Sequence, residues 1–482
     1  MPKKSSLFLI VIWLGSGFLY SFVSLIKHWH FQTGLDLAIY NQTLWFYSHF
    51  KLPYVTLYPT FGRLVWADHF TPTLFLLTPF YALFPQAETL LIAQSLFFTS
   101  GAIPLYLIAK EKTKSLCFSL AVAVAYVIFF GSQFSLTFDF HAATFGASFL
   151  PWILYFLEKS RWKTFFLLVI LALGAKEDMA LAILSLGIFM LFKSEWRRMG
   201  WVTVAISAFY FGVVIFRIIP TFSQGMAKEY VAANLPTDFS GWVSFILSPS
   251  KLKTVFLSFA SFGFLPLLAP STWVFPFTHF FYNFLGPSGR WDIYLHYRVT
   301  LAPLLAYSSI YGVLNLTRFW KKYLSPNLTF KVGGTLLFFC LLMLQYFLHL
   351  PLNSLAKKDF YRQKVGMEEN KKLIKMVPSG VSVSTQNHLA PHLSGRKRLF
   401  YFPATAGKVG FPDRESGGED VVSSAKENYV ILDLRQDQPL ANFWASPEPG
   451  ESKRIIEEWI KNGKYQVVQK SGESILLKEK TE

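Results

Sequence analysis

Ionisable residues interrupt apolar stretches at four places in this sequence, where their types could support acid–base chemistry or hold an anion or a metal ion. The first is Asp36, the one carboxylate in "FQTGLDLAIYNQTLWFYSHF", residues 31–50. It could deprotonate a hydroxyl group, and Tyr40 lies one turn further along the same face of a predicted helix. The pattern predicts an amphipathic helix that lies at the outer surface of the membrane in which the protein is embedded. Alternatively, Asp36 is only the N-cap of that helix, which would stabilise it by about 1 kcal/mol.

The second place is "TFDFHAATF", in which Asp139 and His141 stand between two apolar segments. An acid and an imidazole at this spacing could bind a divalent ion such as Mg²⁺ or Mn²⁺, or could transfer a proton. The alternative is a polar loop that simply stays in water, as loops between spans usually do.

The third place is "LGAKEDMAL", where Lys176, Glu177 and Asp178 interrupt a long hydrophobic stretch. Charges at such a depth are energetically costly and usually mark a binding site or a pathway. The alternative is a tight external turn between two short spans, in which the three side chains only have to reach water.

The fourth place is "GPSGRWDIYLHYRVTLAP", with Arg290, His296 and Arg298. A phosphate group at the outer leaflet could be held there by arginine side chains. The alternative is that these residues extend towards lipid headgroups without a ligand.

The composition predicts a multi-pass α-helical membrane protein. Of the 482 residues, 52% are hydrophobic, 18% are aromatic and 16% are charged. The mean hydropathy of +0.34 is too apolar for a soluble enzyme of this size. A net charge of +17 could suggest nucleic acid binding, but no nucleic acid motif accompanies it. Basic residues between membrane spans explain the charge better, so membrane lipids and not nucleic acid are the expected partners.

About eleven apolar segments between residues 7 and 350 are predicted to span the membrane. With the N-terminus inside, four basic clusters all fall on the cytoplasmic side, as the positive-inside rule requires. They are Lys110, Lys112 and Lys114; Lys159, Arg161 and Lys163; Lys193, Arg197 and Arg198; and Arg318, Lys321 and Lys322. This topology requires that the proline-containing segment 69–85 does not cross. The ionisable residues of the four places, together with Asp68 and His69, then lie at the external ends of spans.

Two domains are predicted: a membrane body, residues 1–351, with an external loop at 27–86, and a soluble extracytoplasmic α/β domain, residues 352–482. The second domain follows from short apolar runs separated by charges, prolines and glycines. Strands are predicted at "GVSVST", "RLFYF", "YVILDL", "YQVVQ" and "SILLKE", and helices at 365–376 and at "SKRIIEEWIKNG". The basic loop "NHLAPHLSGRKR" could face a phosphate group or could pack on the membrane body.

Six motifs in chain order resemble one family of predicted multi-pass membrane proteins, domain of unknown function 2079. They are "GLDLAIYNQTLW", "DHFTPTLFLLTPFYALFP", "FDFHAATF", "KEDMAL", "LHYRVTLAP" and "NHLAPHLSGRKRLFYFP". That family looks like a branch of the C-type glycosyltransferases, which share a multi-span body and an acid in the first external loop. The resemblance implies that Asp36 is the catalytic acid and that a polyprenyl phosphate carries the sugar. Members often have a second acid beside the first, which Asp139 or Asp68 would have to supply here.

The resulting hypothesis is a glycosyltransferase in the plasma (inner) membrane that moves a sugar from a polyprenyl-phosphate donor to an unknown acceptor on the outer face. Asp36 is its predicted base. Tyr40, Lys176, Glu177, Asp178, Arg290, His296 and Arg298 are predicted to line the site or hold the donor phosphate, and Asp139 and His141 to hold a metal ion. The alternative is a transporter or flippase for a lipid-linked or small anionic solute, in which the same residues line a path.

Overall fold

The computed structural model describes residues 3–57, 63–223, 235–403, 428–438 and 447–480. Its α-helices are α1 Lys3–Trp29, α2 Leu35–Ser48, α3 Thr78–Leu83, α4 Ala87–Ser100, α5 Ala102–Thr113, α6 Leu116–Ile128, α7 Phe130–Leu136, α8 Ala142–Ala147, α9 Leu150–Glu158, α10 Trp162–Leu173, α11 Met179–Leu191, α12 Arg197–Val213, α13 Ile219–Phe222, α14 Phe239–Ile246, α15 Pro249–Ala260, α16 Val274–Leu285, α17 Leu301–Trp320, α18 Pro326–Phe347, α19 Lys358–Tyr361, α20 Met367–Met376 and α21 Pro449–Lys461. Its strands are β1 Tyr54–Val55, β2 Arg63–Leu64, β3 Val383–Thr385, β4 Leu399–Tyr401, β5 Tyr429–Asp433, β6 Tyr465–Ser471 and β7 Ser474–Glu479.

Several helices have the length and apolar character needed to cross a membrane. Within the described ranges these are Leu7–Trp29, Ala87–Thr113, Arg197–Phe222, His296–Trp320 and Pro326–Phe347. The helices α6 and α7 make a sixth if the pair, bent by 44°, counts as one span. Four further apolar helices are shorter: Pro72–Leu83, Ala142–Glu158, Trp162–Leu173 and Met179–Leu191. A helical body with many apolar helices is therefore confirmed, while the count of about eleven spans and the topology stay predictions.

The chain divides into two compact units. Unit 1 consists of Met1–Val23, His69–Thr73 and Ile92–Lys357, and unit 2 of Ser24–Asp68, Leu74–Leu91 and Lys358–Glu482. Each unit combines segments that are far apart in the sequence. The boundary predicted between residues 351 and 352 stays a prediction.

Unit 1 is a helical body with a large apolar core, to which α1, α4 to α11 and α15 to α18 contribute. Close helix packing requires small residues in places: a Cβ atom on Gly187 would approach the backbone nitrogen of Val204 to 2.9 Å. Tyrosine hydroxyls also tie neighbouring helices together. Tyr20 donates to the carbonyl of Val127 at 2.7 Å, and Tyr126 donates to the carbonyl of Phe98 at 2.7 Å. Such bonds satisfy polar groups that have no access to water.

Unit 2 contains a five-stranded sheet in the order β4-β3-β5-β7-β6. The strands β4, β3 and β5 are parallel, whereas β7 is antiparallel to both β5 and β6. The five strands and both helices predicted for the tail are confirmed, including the apolar side of α21, where Ile456 joins the core. Gly472 makes the β6–β7 turn with a φ of +57°, a left-handed conformation that favours glycine.

Candidate functional site

The turn between α10 and α11 buries charged side chains inside unit 1. Glu177 is 1% exposed and Lys176 is 7% exposed. The ammonium group of Lys176 lies 3.2 Å from a carboxylate oxygen of Asp178. Both side chains are buried, so the interpretation of this turn as three side chains that merely reach water is wrong for Lys176 and Glu177. Burial of such charged groups is costly unless they are paired.

A histidine from a distant part of the chain completes this turn. Nδ1 of His69 lies 2.7 Å from Oε1 of Glu177. The segment that carries His69 is fixed to the turn by a hydrogen bond of 2.9 Å from the backbone N–H of Thr73 to the carbonyl of Gly174. The sequence analysis assigned no role to His69, although its position beside an apolar, proline-containing segment was the available signal.

The loop that joins α7 and α8 is also buried. Asp139 is 1% and His141 is 4% exposed, so the interpretation as a loop that stays in water is wrong. Gln94, itself fully buried, holds the loop through two hydrogen bonds: its Nε2 donates to the carbonyl of Asp139 at 3.0 Å, and its Oε1 accepts from the backbone N–H of His141 at 2.8 Å. This clamp fixes the backbone on which both side chains stand.

His141 stacks on His296, with the ring centroids 3.7 Å apart. Burial lowers the pKa of His141 well below its usual range, and the nearby charges of Lys176 and His69 lower it further. His141 is therefore a neutral imidazole in the folded protein near neutral pH.

The metal site predicted at Asp139 and His141 stays a prediction. Across the described ranges, no group of three or more His, Cys, Asp or Glu side chains has an arrangement that could hold a metal ion. Asp139 and His141 alone are fewer than the three protein ligands found in catalytic zinc sites. We derive no reaction step through a metal ion.

Arg298 is fully buried, so the interpretation of this side chain as extending towards lipid headgroups is wrong. Its Nη1 lies 3.2 Å from Nε2 of His279, and its Nη2 donates to the carbonyl of Arg290. Because an arginine only donates hydrogen bonds, Nε2 of His279 must accept. The proton of that imidazole then sits on Nδ1, which lies 3.0 Å from the hydroxyl of Thr300. The sequence analysis missed His279, which an imidazole inside the apolar run of α16 could have signalled.

A pocket opens beside this network, between α11, α16 and the start of α17. Its cavity volume is about 40 Å³, room for about three water-sized groups. The polar residues that line it include Asp178, Ser185, His279, Asn283, His296 and Tyr297.

Three buried polar atoms at or beside the pocket have no hydrogen-bond partner among the described residues. They are Oδ1 of Asp178, Nδ1 of His296 and Nε of Arg298. Arg290 stands near them, with its Nη1 3.4 Å from the hydroxyl of Tyr282 and its guanidinium group over the rings of Tyr282 and Tyr297. Buried polar atoms normally have a partner, so these are candidates for contact with a small polar ligand group.

Asp36 and Tyr40 lie in unit 2, on α2. The helix begins at Leu35 and its N-cap is Gly34, so Asp36 stands in the first turn and the N-cap interpretation is wrong. A carboxylate in that position is stabilised by the helix dipole, by about 0.3–1 kcal/mol. The prediction of an amphipathic helix is also wrong, because 11 of its 14 residues are buried while Asp36 is half-buried.

Hydrogen bonds inside unit 2 fix α2 in place. Nε2 of Gln42 donates to the hydroxyl of Thr56 at 3.0 Å and to the carbonyl of Arg396 at 3.1 Å. Nδ2 of Asn41 donates to the hydroxyl of Ser394 at 2.7 Å. The loop "NHLAPHLSGRKR" is thus a structural support for the helix that carries Asp36, and Nε of Arg396 donates to the carbonyl of Leu393 within the loop.

Comparison with solved structures gives the class of fold. The chain is similar to ArnT from Cupriavidus metallidurans bound to undecaprenyl phosphate, with a TM-score of 0.54, 11% sequence identity and 97% of each chain covered. The same protein in the apo state gives a TM-score of 0.50 and 12% identity, with 96% of this chain and 98% of that chain covered. ArnT is a C-type glycosyltransferase, and the fold of this chain is of that type.

The family follows from the sequence itself. Residues 27–476 match the family of predicted membrane proteins called DUF2079, and the chain belongs to that family. No curated protein sequence matches the chain. The predicted family and its link to the C-type glycosyltransferase fold are therefore confirmed.

Proposed function

We propose that this protein is a membrane glycosyltransferase that moves a sugar from a polyprenyl-phosphate donor to an acceptor hydroxyl group on the outer face of the plasma membrane. The C-terminal domain would then lie outside the cytoplasm. The proposal is supported at the level of the fold by the similarity to ArnT, whose solved structure holds undecaprenyl phosphate.

The observation that carries the proposal is the collection of cationic and imidazole groups in unit 1. Arg298 and Lys176 are buried, and Arg290 is half-buried beside the pocket. Arginine and lysine groups in a site that excludes water stabilise the charge of a leaving phosphate much more strongly than they would in water. A cavity of about 40 Å³ suits a phosphate group better than a whole sugar ring.

Asp36 is the proposed base. In the reaction, the acceptor oxygen bonds to the anomeric carbon while the bond from that carbon to the phosphate oxygen breaks, and the electron pair goes to the lipid phosphate. Asp36 takes the proton of the acceptor hydroxyl group. Tyr40, Asp178 and His296 are proposed to orient the donor or to line its site.

Release of undecaprenyl phosphate from defined donors tests this function. Purified protein in detergent is incubated with a panel of undecaprenyl-phosphate-linked hexoses and pentoses, together with a cell-envelope extract that supplies acceptor hydroxyl groups, and free lipid phosphate is measured. We expect release from at least one donor, dependent on Asp36. If no donor is turned over and undecaprenyl phosphate itself does not raise the thermal unfolding temperature of the protein, the proposal fails.

The rival function is a transporter or flippase of a lipid-linked or small anionic solute. It predicts corresponding pairs of broken helices in two repeated halves. Within the described ranges, α6–α7 is the one helix pair bent by more than 40° that together is long enough to span. Movement of a fluorescent lipid-linked anion across proteoliposomes, without sugar transfer, would favour this rival.

A further inference from the structure

We propose that Thr300 donates a hydrogen bond to an oxygen atom of the donor's phosphate group, and that the buried pair Arg298 and His279 prepares its hydroxyl group for an anion. In this arrangement, His279 is a positioning residue that acts through Thr300. The inference rests on the proposed function, because the phosphate of the lipid is the anion that Thr300 would meet in the pocket.

Arg298, His279 and Thr300 form a chain of hydrogen bonds with a single direction. Nη1 of Arg298 lies 3.2 Å from Nε2 of His279, and Nδ1 of His279 lies 3.0 Å from Oγ1 of Thr300. An arginine can only donate, so Nε2 accepts and Nδ1 carries the proton that is donated to Oγ1. The hydrogen of the Thr300 hydroxyl group is left for another acceptor. It has none within the described ranges, and Thr300 lines the pocket, so it can donate to a ligand there.

A second donor supports this position of the imidazole proton. Nδ2 of Asn283 lies 3.4 Å from Nε2 of His279 and 2.9 Å from the carbonyl oxygen of the same residue. The amide nitrogen therefore faces the imidazole, and two donors approach Nε2. The same contacts hold the ring in place, because Asn283 lies one turn further along α16.

The positive charge of Arg298 has no carboxylate partner within the described part of the chain. The side chain is fully buried, and its partners are the imidazole of His279 and the carbonyl of Arg290, which are both neutral. A buried cation is normally paired with an anion. A phosphate in the pocket supplies that negative charge. Polarisation through His279 makes the Thr300 hydroxyl group a stronger donor to such an anion than an isolated hydroxyl group.

The start of α17 leaves the hydroxyl group of Thr300 available. Thr300 is the N-cap residue of this helix, but its side chain accepts no N–H group of the first turn. The third residue of the helix is Pro303, which lacks one of the N–H groups that a cap usually binds. Loss of this hydroxyl group should therefore not destabilise the helix through loss of a cap. The positive end of the helix dipole lies at the same place and also favours an anion.

Close packing fixes the backbone of Arg298. A Cβ atom on Gly131 of α7 would approach Cβ of Arg298 to 2.7 Å and its carbonyl carbon to 2.9 Å. Contacts this short do not occur between real atoms of this kind, so glycine at position 131 is what lets α7 pack against Arg298. The start of the hydrogen-bond chain is thus held at a defined place beside the pocket.

One acidic side chain opposes an anion in the pocket. Among the described residues that line it, Asp178 is the one with a carboxylate. Oδ2 of Asp178 lies 3.2 Å from Nζ of Lys176. This ammonium group offsets the negative charge of Asp178, so the repulsion of a phosphate is reduced.

Equilibrium binding of undecaprenyl phosphate and of undecaprenol, which lacks the phosphate, tests the inference on the full-length protein in detergent. The wild-type protein should bind undecaprenyl phosphate more tightly. Thr300→Val keeps the shape of the side chain and removes the hydroxyl group. It should weaken binding of undecaprenyl phosphate by about 10- to 100-fold and leave binding of undecaprenol unchanged. Thr300→Ser keeps a hydroxyl group and should restore most of the affinity.

His279 is tested by the same pair of lipids. His279→Phe removes both the acceptor for Arg298 and the donor to Thr300, so it should weaken binding of undecaprenyl phosphate and not of undecaprenol. His279→Gln has an amide that can accept from Arg298 and donate to Thr300, so it should bind undecaprenyl phosphate more tightly than His279→Phe does. If His279→Phe weakens binding of both lipids alike, its role is structural and the positioning role is overturned.

Thr317→Val is the matched control. Thr317 lies on α17 and is half-buried like Thr300, but its hydroxyl group donates to the carbonyl of Val313 at 2.8 Å. This variant should bind both lipids like the wild type. Inorganic phosphate is the third probe, and it should not displace undecaprenyl phosphate at an equal concentration. If it does, the site takes a free anion and the lipid assignment is overturned.

Two outcomes separate this inference from the proposed function. If Thr300→Val binds undecaprenyl phosphate as tightly as the wild type, or loses affinity for both lipids alike, Thr300 does not bind the phosphate. The inference then fails and the proposed function stands. If the wild-type protein binds undecaprenol as tightly as undecaprenyl phosphate, it does not recognise the phosphate at all. The proposed function then fails, and the inference fails with it.

Discussion

His141 lies stacked on His296 in unit 1, with ring centroids 3.7 Å apart and ring planes 25° from parallel. The two residues are separated by more than 150 positions, and each belongs to a motif that the sequence singled out for its own reasons. The stack therefore joins the loop before α8 to the segment before α17. A contact of this kind between two imidazoles is stable when at least one is neutral, because two imidazolium groups would repel each other.

The low pKa of His141 predicts that acid destabilises the protein. In the unfolded chain, a histidine takes up a proton near pH 6.5. In the folded state, burial and neighbouring cations keep His141 neutral well below that pH. Its contribution to stability is thus present above about pH 6.5 and is lost as the pH falls, by up to about 1.4 kcal/mol per pH unit. Thermal unfolding of the detergent-solubilised protein at a series of pH values measures this slope. His141→Gln should flatten it, whereas the exposed control His349→Gln should leave it unchanged.

The sequence predicted local structure well because local structure depends on neighbouring residues. The strand "SILLKE" and the helix "SKRIIEEWIKNG" follow from alternation and helical spacing, and β7 and α21 confirm them. The pairing of His69 with Glu177 could not be predicted, because it joins residues 108 positions apart. An imidazole inside the apolar run of α16 marked His279 as unusual, but its contact with Arg298, 19 positions further along the chain, could not be predicted from neighbouring residues.

Gln94 should be important for the loop that carries Asp139 and His141. Gln94→Leu leaves a buried carbonyl and a buried N–H group without their partner, which should destabilise the protein by about 1–3 kcal/mol. Gln94→Glu keeps an acceptor for the N–H of His141, but it loses the donor and buries a carboxyl group against the carbonyl of Asp139, so a loss at least as large is expected. Unfolding temperatures of both variants measure the effect, with the exposed Gln466→Leu as control. A Gln94→Leu protein as stable as the wild type would show that the loop does not depend on this clamp.

Asp36→Asn should abolish transfer without loss of folding. The amide cannot accept the acceptor proton, and loss of a positioned base typically lowers the rate by about 10²–10⁴-fold. Asp359→Asn is the matched control, because Asp359 also lies in the first turn of a helix and is exposed. Donor turnover by both proteins is the measurement, and activity retained in Asp36→Asn would remove Asp36 from the mechanism.

Asp433 should be the residue on which the sheet of unit 2 depends most. Its carboxylate is fully buried, and it accepts hydrogen bonds from Arg435 at 2.9 Å and from Asn370 at 2.9 Å. Burial alone would raise the pKa of Asp433, but hydrogen bonds from His388 and Arg435 outweigh it and lower the pKa. Its contribution to stability is therefore present above about pH 3.9, the value for an unfolded chain, and is lost as the pH falls through the lower folded value.

Asp433→Asn leaves the guanidinium group of Arg435, whose side chain is 10% exposed, without its charge partner. Removal of one member of a buried ion pair typically destabilises a protein by about 3–5 kcal/mol. Limited proteolysis of the full-length protein, with fragments identified by mass spectrometry, should show faster cleavage in unit 2 than in the wild type. The exposed Asp437→Asn, four residues further along the chain, is the control and should be cleaved like the wild type. If Asp433→Asn is cleaved no faster than the wild type, the packing of the sheet, and not this ion pair, holds the carboxyl ends of β3 and β5 together.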